Sequence, residues 1–227
     1  MYSKICIAPG GGQDLQVIAI VPAYNEENTV GSVVNVLNQA PLIDDIVVVS
    51  DGSTDKTVEV AIENGARVVE LKVNKGKGGA MKAGLEEYPA DVILFLDADL
   101  IGLTREHVEN LVLPVLHREA DMTVGIFEKG RFATDLAQKF APNLSGQRAV
   151  NRWVLENISD IDMARFGVEI ALNRMIEKNQ IKVKEVFLEN MSHVMKEEKR
   201  GVLKGLAARM KMYWEIMKYF TKTGVKK

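Results

Sequence analysis

Cysteine is almost absent from this 227-residue sequence: Cys6 stands alone. One thiol cannot close an intramolecular disulfide, so a reducing compartment fits best. The N-terminus, Met-Tyr-Ser-Lys-Ile-Cys-Ile-Ala-Pro-Gly, lacks the apolar run of about 7 to 15 residues that a signal peptide needs. Nor does any window approach the roughly 20 consecutive apolar residues of a bilayer-spanning helix. These absences lead to the expectation of a cytoplasmic protein, at most peripheral at the inner face of the membrane. A charge excess is missing as well. Lys and Arg number 29 against 31 Asp and Glu, a net charge of -2, which argues against nucleic acid as a partner. There is no internal repeat and no low-complexity tract. Apolar material is plentiful at 47% of residues, enough for a single α/β domain of this length to bury on the order of 70% of its unfolded surface without staples.

Apolar, β-rich runs recur at Val17 to Val21, Ile46 to Ser50, Arg67 to Leu71, Val92 to Leu96 and Met122 to Ile126. Helix-like stretches lie between them at Asn28 to Gln39, Lys56 to Asn64, Gly78 to Glu87 and Thr104 to His117, with apolar residues at three-to-four spacing. This alternation specifies an α/β fold with a mostly parallel central sheet and helices on both faces. Ser53-Thr54-Asp55 has the composition of a helix N-cap, and Gly10 to Gly12 reads as a flexible leader. Past Gly125 the pattern changes. Phe127 to Asn143 predicts an active-site loop, Gly146 to Asn157 and Gly167 to Lys178 predict helices, Ile181 to Leu188 a strand, and Val202 to Thr221 a long final helix. The division expected is a domain over 1–201, with a nucleotide-binding half at 14–100 and an acceptor half at 101–201, followed by a C-terminal helix at 202–227.

In sheets of this kind, ligands bind beyond the carboxyl ends of the strands. Asp97-Ala98-Asp99 emerges there after Val92 to Leu96, and two hard oxygen ligands one residue apart can hold Mg²⁺ or Mn²⁺ beside a phosphate. A lone pair of aspartates is more often a solvated turn. Pro22-Ala23-Tyr24-Asn25-Glu26-Glu27 follows the first strand and Asp51-Gly52-Ser53-Thr54-Asp55 the second. Turns and caps account for much of both, but a cap does not account for Asp51, whose carboxylate could accept a base N–H. Asn74-Lys75-Gly76-Lys77-Gly78-Gly79 follows a further strand. Its glycines allow close backbone approach and its lysine supplies a point charge, while the P-loop spacing is absent.

Val21 to Glu26, Asp51 to Asp55 and Leu96 to Asp99, in this order and spacing, resemble the family 2 type of GT-A fold glycosyltransferase. The resemblance implies a fold, an activity and a set of roles. Pro22, Ala23, Tyr24, Asn25, Glu26, Asp51, Gly52, Ser53, Lys77, Asp97 and Ala98 would surround the donor nucleotide. Asp99 would bind the metal, with Asp97 on the ribose or a metal-bound water. Leu144 to Ala149 is similar to the acceptor-side loop of the glucosyl-3-phosphoglycerate synthases and polyprenyl-phosphate glycosyltransferases, which implies acceptor binding by Ser145, Gly146, Gln147 and Arg148. Phe166 to Ile170 is similar to a second element of that group, in which Glu169 would serve as general base or would orient the acceptor hydroxyl. His193 falls where the group places a third metal ligand, and Lys196 or Arg200 could close over the diphosphate. His107 and His117 lie on a surface-like helix without such a context.

From Lys196 onward, ten Lys and Arg residues face Glu197, Glu198 and Glu215, interleaved with Leu203, Leu206, Met210, Tyr213, Trp214, Met217, Tyr219 and Phe220. Such a basic amphipathic helix either rests on an anionic membrane or covers the domain or a dimer partner. Metal-dependent hexose transfer from a nucleoside-diphosphate sugar, UDP-glucose foremost, to a small phosphorylated acid such as 3-phosphoglycerate or to a polyprenyl phosphate is therefore the expectation. A sugar-phosphate nucleotidyltransferase would need a glycine-rich loop where Pro22 to Asn25 stands. A nonenzymatic membrane or protein interaction module leaves Asp97, Asp99, Glu169 and His193 unexplained as a set.

Overall fold

A computed structural model of the chain describes residues 15–127, 146–157, 172, 176 and 180–193. Compact units are formed by residues 1–192 and by 193–227; the description below concerns the first. Its strands are β1 (Val17–Ala23), β2 (Asp45–Asp51), β3 (Arg67–Leu71), β4 (Val92–Phe95), β5 (Leu100–Ile101), β6 (Met122–Phe127), β7 (Arg148–Asn151) and β8 (Val183–Leu188), with β9 at Ser192–His193. The helices are α1 (Val30–Asn38), α2 (Thr57–Glu63), α3 (Gly76–Glu87), α4 (Arg105–Leu116) and the short α5 (Arg152–Glu156). Among the described residues, the main sheet has seven strands in the order β3-β2-β1-β4-β7-β6-β8, and β5 forms a two-stranded sheet with β9.

The first four strands of that order run parallel. Central parallel strands bury both faces, which is why β1 and β2 read as unbroken apolar runs. Side chains alternate across the sheet, so each strand feeds two cores. On one face Val17, Ala19 and Val21 meet Val33 and Leu37 of α1 and Leu111 and Val115 of α4. On the other, Ile18, Ile20, Val47 and Val49 meet Ala80 and Met81 of α3 and Val154 of α5. Gly84 lets α3 lie close to the sheet, because a Cβ there would stand 2.8 Å from Ile20 Cγ2 and 3.1 Å from Val49 Cγ2.

Two expectations need correction. Gly146 to Asn157 is not one helix: Arg148–Asn151 forms β7, antiparallel to β4 with Phe95 opposite Arg148, and only Arg152–Glu156 is helical. Pairing with the open edge of β4 outweighs a weak local helical pattern. Asn151 then marks the switch, its side chain accepting from Trp153 N–H at 3.3 Å. His107 is not a surface residue. It is buried in α4, where its Nδ1 accepts Thr104 N–H at 3.2 Å while Thr104 Oγ1 accepts His107 N–H at 3.3 Å, a reciprocal cap. Phe127 closes β6; 128–145, Gly167 to Glu169 and the helix expected at Val202 to Thr221 lie outside the described residues. No helix among the described residues is long and apolar enough to cross a membrane.

Candidate functional site

The ends of β1, β2 and β4 lie side by side, since Ala23 is paired with Ser50 and Ile20 with Phe95. Sheet pairing therefore brings Tyr24 to Glu27, Asp51 to Asp55 and Asp97 to Asp99 to one edge of the sheet. Reciprocal hydrogen bonds tie the first two segments together. Asn25 N–H donates to Ser53 Oγ at 3.1 Å, and Asn25 Oδ1 accepts Thr54 N–H at 2.8 Å. Glu26 N–H donates to Thr57 Oγ1 at 2.8 Å, while Glu27 Oε2 accepts Lys56 N–H at 3.0 Å. Asn25 takes φ of 56°, a left-handed conformation that asparagine tolerates better than most residues. Ser53 and Thr54 thus bind Asn25 rather than capping α2. Asp55 supplies the helix start, its Oδ1 accepting Thr57 N–H at 3.1 Å. Tyr24 remains exposed and Pro22 half-buried beside it.

Asp51 is buried at the end of β2, and both of its oxygens are engaged. Oδ1 accepts Lys75 N–H at 2.6 Å and Oδ2 accepts Gly76 N–H at 2.8 Å. These are N–H groups at the start of α3, which have no partner within the helix, and the carboxylate also lies at the positive end of the helix dipole. The helix therefore begins at Gly76, two residues earlier than expected. That puts Lys77 in the first turn, not in a glycine loop. Gly52, with φ of 72°, makes room for this arrangement, because a Cβ there would meet Asn74 N at 3.0 Å.

From that turn, Lys77 Nζ reaches Asp97 Oδ1 at 2.7 Å. Asp97 Oδ2 accepts Gln147 Nε2–H at 3.0 Å. Ala98 is buried and Asp99 half-buried in the turn into β5. Gly146 packs over the pair, since a Cβ on it would stand 2.2 Å from Lys77 Nζ and 2.8 Å from Asp97 Oδ2. With side-chain exposures of 30% and 20%, the Lys77–Asp97 pair is better shielded than a surface ion pair and less than a core one.

The structure thus brings Pro22 to Glu26, Asp51 to Ser53, Lys77, Asp97 to Asp99, Gly146 and Gln147 together. Arg148 is buried in β7, away from any open surface. Ser145, Glu169, Lys196, Arg200 and the side chain of His193 lie outside the described residues. Sequence reasoning missed Thr57, fully buried beneath Glu26, and the links from Asn25 and Glu27 to the neighbouring turn. An asparagine two residues past the end of a strand was the available signal for a left-handed turn. For Gln147, expected with the acceptor, the structure adds a contact that the sequence did not show: its amide donates to Asp97.

Among the described residues, no three His, Cys, Asp or Glu side chains gather into a metal cage. Mg²⁺ and Mn²⁺ at phosphate sites need only one or two carboxylates, the rest of the shell coming from phosphate and water. Asp99, a hard oxygen donor beside an Asp97 already turned toward Lys77, fits such an ion.

The sequence model of glycosyl transferase family 2 matches residues 18–173. Glucosyl-3-phosphoglycerate synthase of Mycobacterium tuberculosis is 37% identical over 120 residues, which cover 49% of this chain and 37% of that protein. A crystal structure of that synthase with Mn²⁺ and UDP-glucose superposes with a TM-score of 0.70 at 28% identity, covering 88% of this chain and 80% of the other. Another, with Mn²⁺, UDP-glucose and phosphoglyceric acid, gives 0.67 at 28% identity, covering 83% and 78%. The GT-A fold expected from the motifs is the one shared with these structures. The chain spans less than half the length of the curated relatives it matches.

Proposed function

We propose that this chain, which belongs to glycosyl transferase family 2, moves a hexose from a nucleoside-diphosphate sugar, UDP-glucose foremost, to a small phosphorylated acid such as 3-phosphoglycerate. The observation that carries the reading is the cluster at the end of β4. Asp97 is held by Lys77 at 2.7 Å, with Asp99 two residues on and the Tyr24 and Asp51 turns alongside. Tyr24 and Pro22 offer an apolar wall for a base, and Asn25 and Ser53 fix that wall in place. The phosphoglycerate complex of the synthase from Mycobacterium tuberculosis favours the small acid over a polyprenyl phosphate.

Mg²⁺ or Mn²⁺ would be held by Asp99, with His193 as a further ligand, while Asp97 would face the nucleotide ribose or a metal-bound water. When bound, the ion offsets charge on the departing diphosphate. The chain's own residues do the rest. Lys77 adds a positive charge at the same edge, and the fixed turns orient the donor before reaction, so rate enhancement is mostly positioning and electrostatics. Glu169 would take or orient the acceptor proton. Ser145 and Gly146 would line the acceptor approach, and Lys196 and Arg200 would cover the diphosphate, while the buried Arg148 is left out of direct acceptor contact. The domain at 1–201 would carry this chemistry, with 202–227 resting on the domain, on a second copy or on an anionic membrane.

The test is a screen of UDP-, GDP- and ADP-sugars with Mn²⁺ for a rise in melting temperature, then product formation with 3-phosphoglycerate or polyprenyl phosphate. UDP-glucose with Mn²⁺ should shift the melt, and Asp99→Ala should remove the metal-dependent part. No shift with any nucleotide sugar ends the donor reading. Transfer to polyprenyl phosphate alone replaces the acceptor.

A further inference from the structure

From the packing around Asp97 we infer that Gln147 is a positioning residue of the donor site, holding Asp97 so that the cation is left to Asp99. The inference rests on the donor-site reading above. Gln147 is fully buried, and burying an amide is costly unless it is hydrogen-bonded. Its Nε2 lies 3.0 Å from Asp97 Oδ2, and only the nitrogen of an amide can face a carboxylate, because two oxygens would repel. Several neighbours fix it there. The β4–β7 register sets Arg148 opposite Phe95, so Gln147 follows Leu96 and Asp97 out of the sheet. Gly125 N–H donates to Gln147 O at 2.8 Å. Gly125 also leaves the room needed, since a Cβ on it would lie 3.1 Å from Gln147 Cβ.

The consequence is electrostatic. Asp97 and Asp99 are like charges two residues apart, and both could compete for one divalent cation. With Oδ1 on Lys77 and Oδ2 on Gln147, the Asp97 carboxylate is fixed in direction and offset in charge. Without the amide, Oδ2 loses the hydrogen bond that sets its direction, and the carboxylate is less firmly kept from the ion. Because Gln147 precedes β7 directly, the strand that brings it also ties the position of the acceptor-side segment to the donor carboxylates.

The test is a double-mutant cycle on the full chain, read by calorimetric titration of UDP at fixed Mn²⁺ and of Mn²⁺ at fixed UDP. Gln147→Met keeps length and volume but removes the donor. It should weaken UDP binding about tenfold, the scale of one hydrogen bond to a charged group, and shift the Mn²⁺ half-saturation point. The donor KM should rise far more than kcat falls. In an Asp97→Ala background the same change should have no further effect, since coupled residues are not additive. Full additivity, or a lowered melting temperature with unchanged UDP and Mn²⁺ binding, makes Gln147 a space-filler and overturns the inference while the donor reading stands. If the wild-type chain binds no nucleoside diphosphate, the donor reading falls and takes this inference with it.

Discussion

Replacing Asp51 by asparagine isolates the tether between β2 and α3. The carboxylate, 3% exposed, accepts two backbone N–H groups, from Lys75 at 2.6 Å and from Gly76 at 2.8 Å. Each hydrogen bond to a charged group contributes about 1.5–3 kcal/mol. Asparagine has one carbonyl oxygen, so one N–H keeps a weaker, neutral partner. The other N–H faces an NH₂ group and is left unsatisfied, which costs about 1–3 kcal/mol where water is excluded. Loss of the negative charge at the start of a twelve-residue helix removes a further few tenths to about 1 kcal/mol. These contributions overlap, and a net loss of about 2–4 kcal/mol follows, a large part of the roughly 5–15 kcal/mol available to a domain. Urea denaturation should show a lower midpoint with unchanged slope. Because Lys77 rides on the first turn of α3, UDP binding should weaken alongside. A stability loss under about 0.5 kcal/mol, near the noise of a surface substitution, would refute the tether and return Asp51 to base recognition alone.

Gly84→Ala sets helix propensity against space. Alanine gains about 1 kcal/mol over glycine within a helix, but its methyl would meet Ile20 Cγ2 at 2.8 Å. Ile20 is fully buried and β-branched, so it cannot step aside, and overpacking of about 1–3 kcal/mol should win; a raised melting temperature would contradict this. Ser50 Oγ is buried with no hydrogen-bond partner among the described residues, so Ser50→Ala should be neutral or stabilising by up to about 1 kcal/mol in a thermal melt. Burial lowers the pKa of His107, against the opposing pull of Glu106 and Glu189. The unfolded chain therefore takes up a proton first as pH falls below about 6.5, so this contribution is complete above that pH and declines below it. His107→Gln preserves an acceptor for Thr104 N–H and should flatten the decline between pH 7 and 5; an unchanged slope would assign the decline to other groups.

The parallel half of the fold was legible because its signals are local. An apolar run followed by a polar turn and an amphipathic helix needs only a dozen residues to declare itself, and β1, β2, β3 and β4 fall within about two residues of their expected bounds. β7 was misread because its strand character comes from β4, whose residues pair with it across more than fifty positions. The same distance hid the role of Gln147, fifty residues from Asp97 in sequence.

The motif residues were easier to find than their tasks, and there is a physical reason. A strand-end pocket must hold several turns still while leaving some side chains available to ligand, and composition alone does not say which residue does which. Asn25, Ser53, Thr57 and Asp51 all carry polar atoms suited to a nucleotide, yet those atoms join one turn to another across 24 to 31 residues. Tyr24, on the same turn as Asn25, is left exposed. If fastening is the main task of the first group, substitutions there should lower stability and UDP affinity together. Changing Tyr24 to alanine should lower affinity alone, by roughly tenfold for the loss of one base-stacking aromatic. A melt of unliganded protein beside a UDP titration separates the two, and an equal stability loss for Tyr24→Ala and Asn25→Ala would erase the distinction.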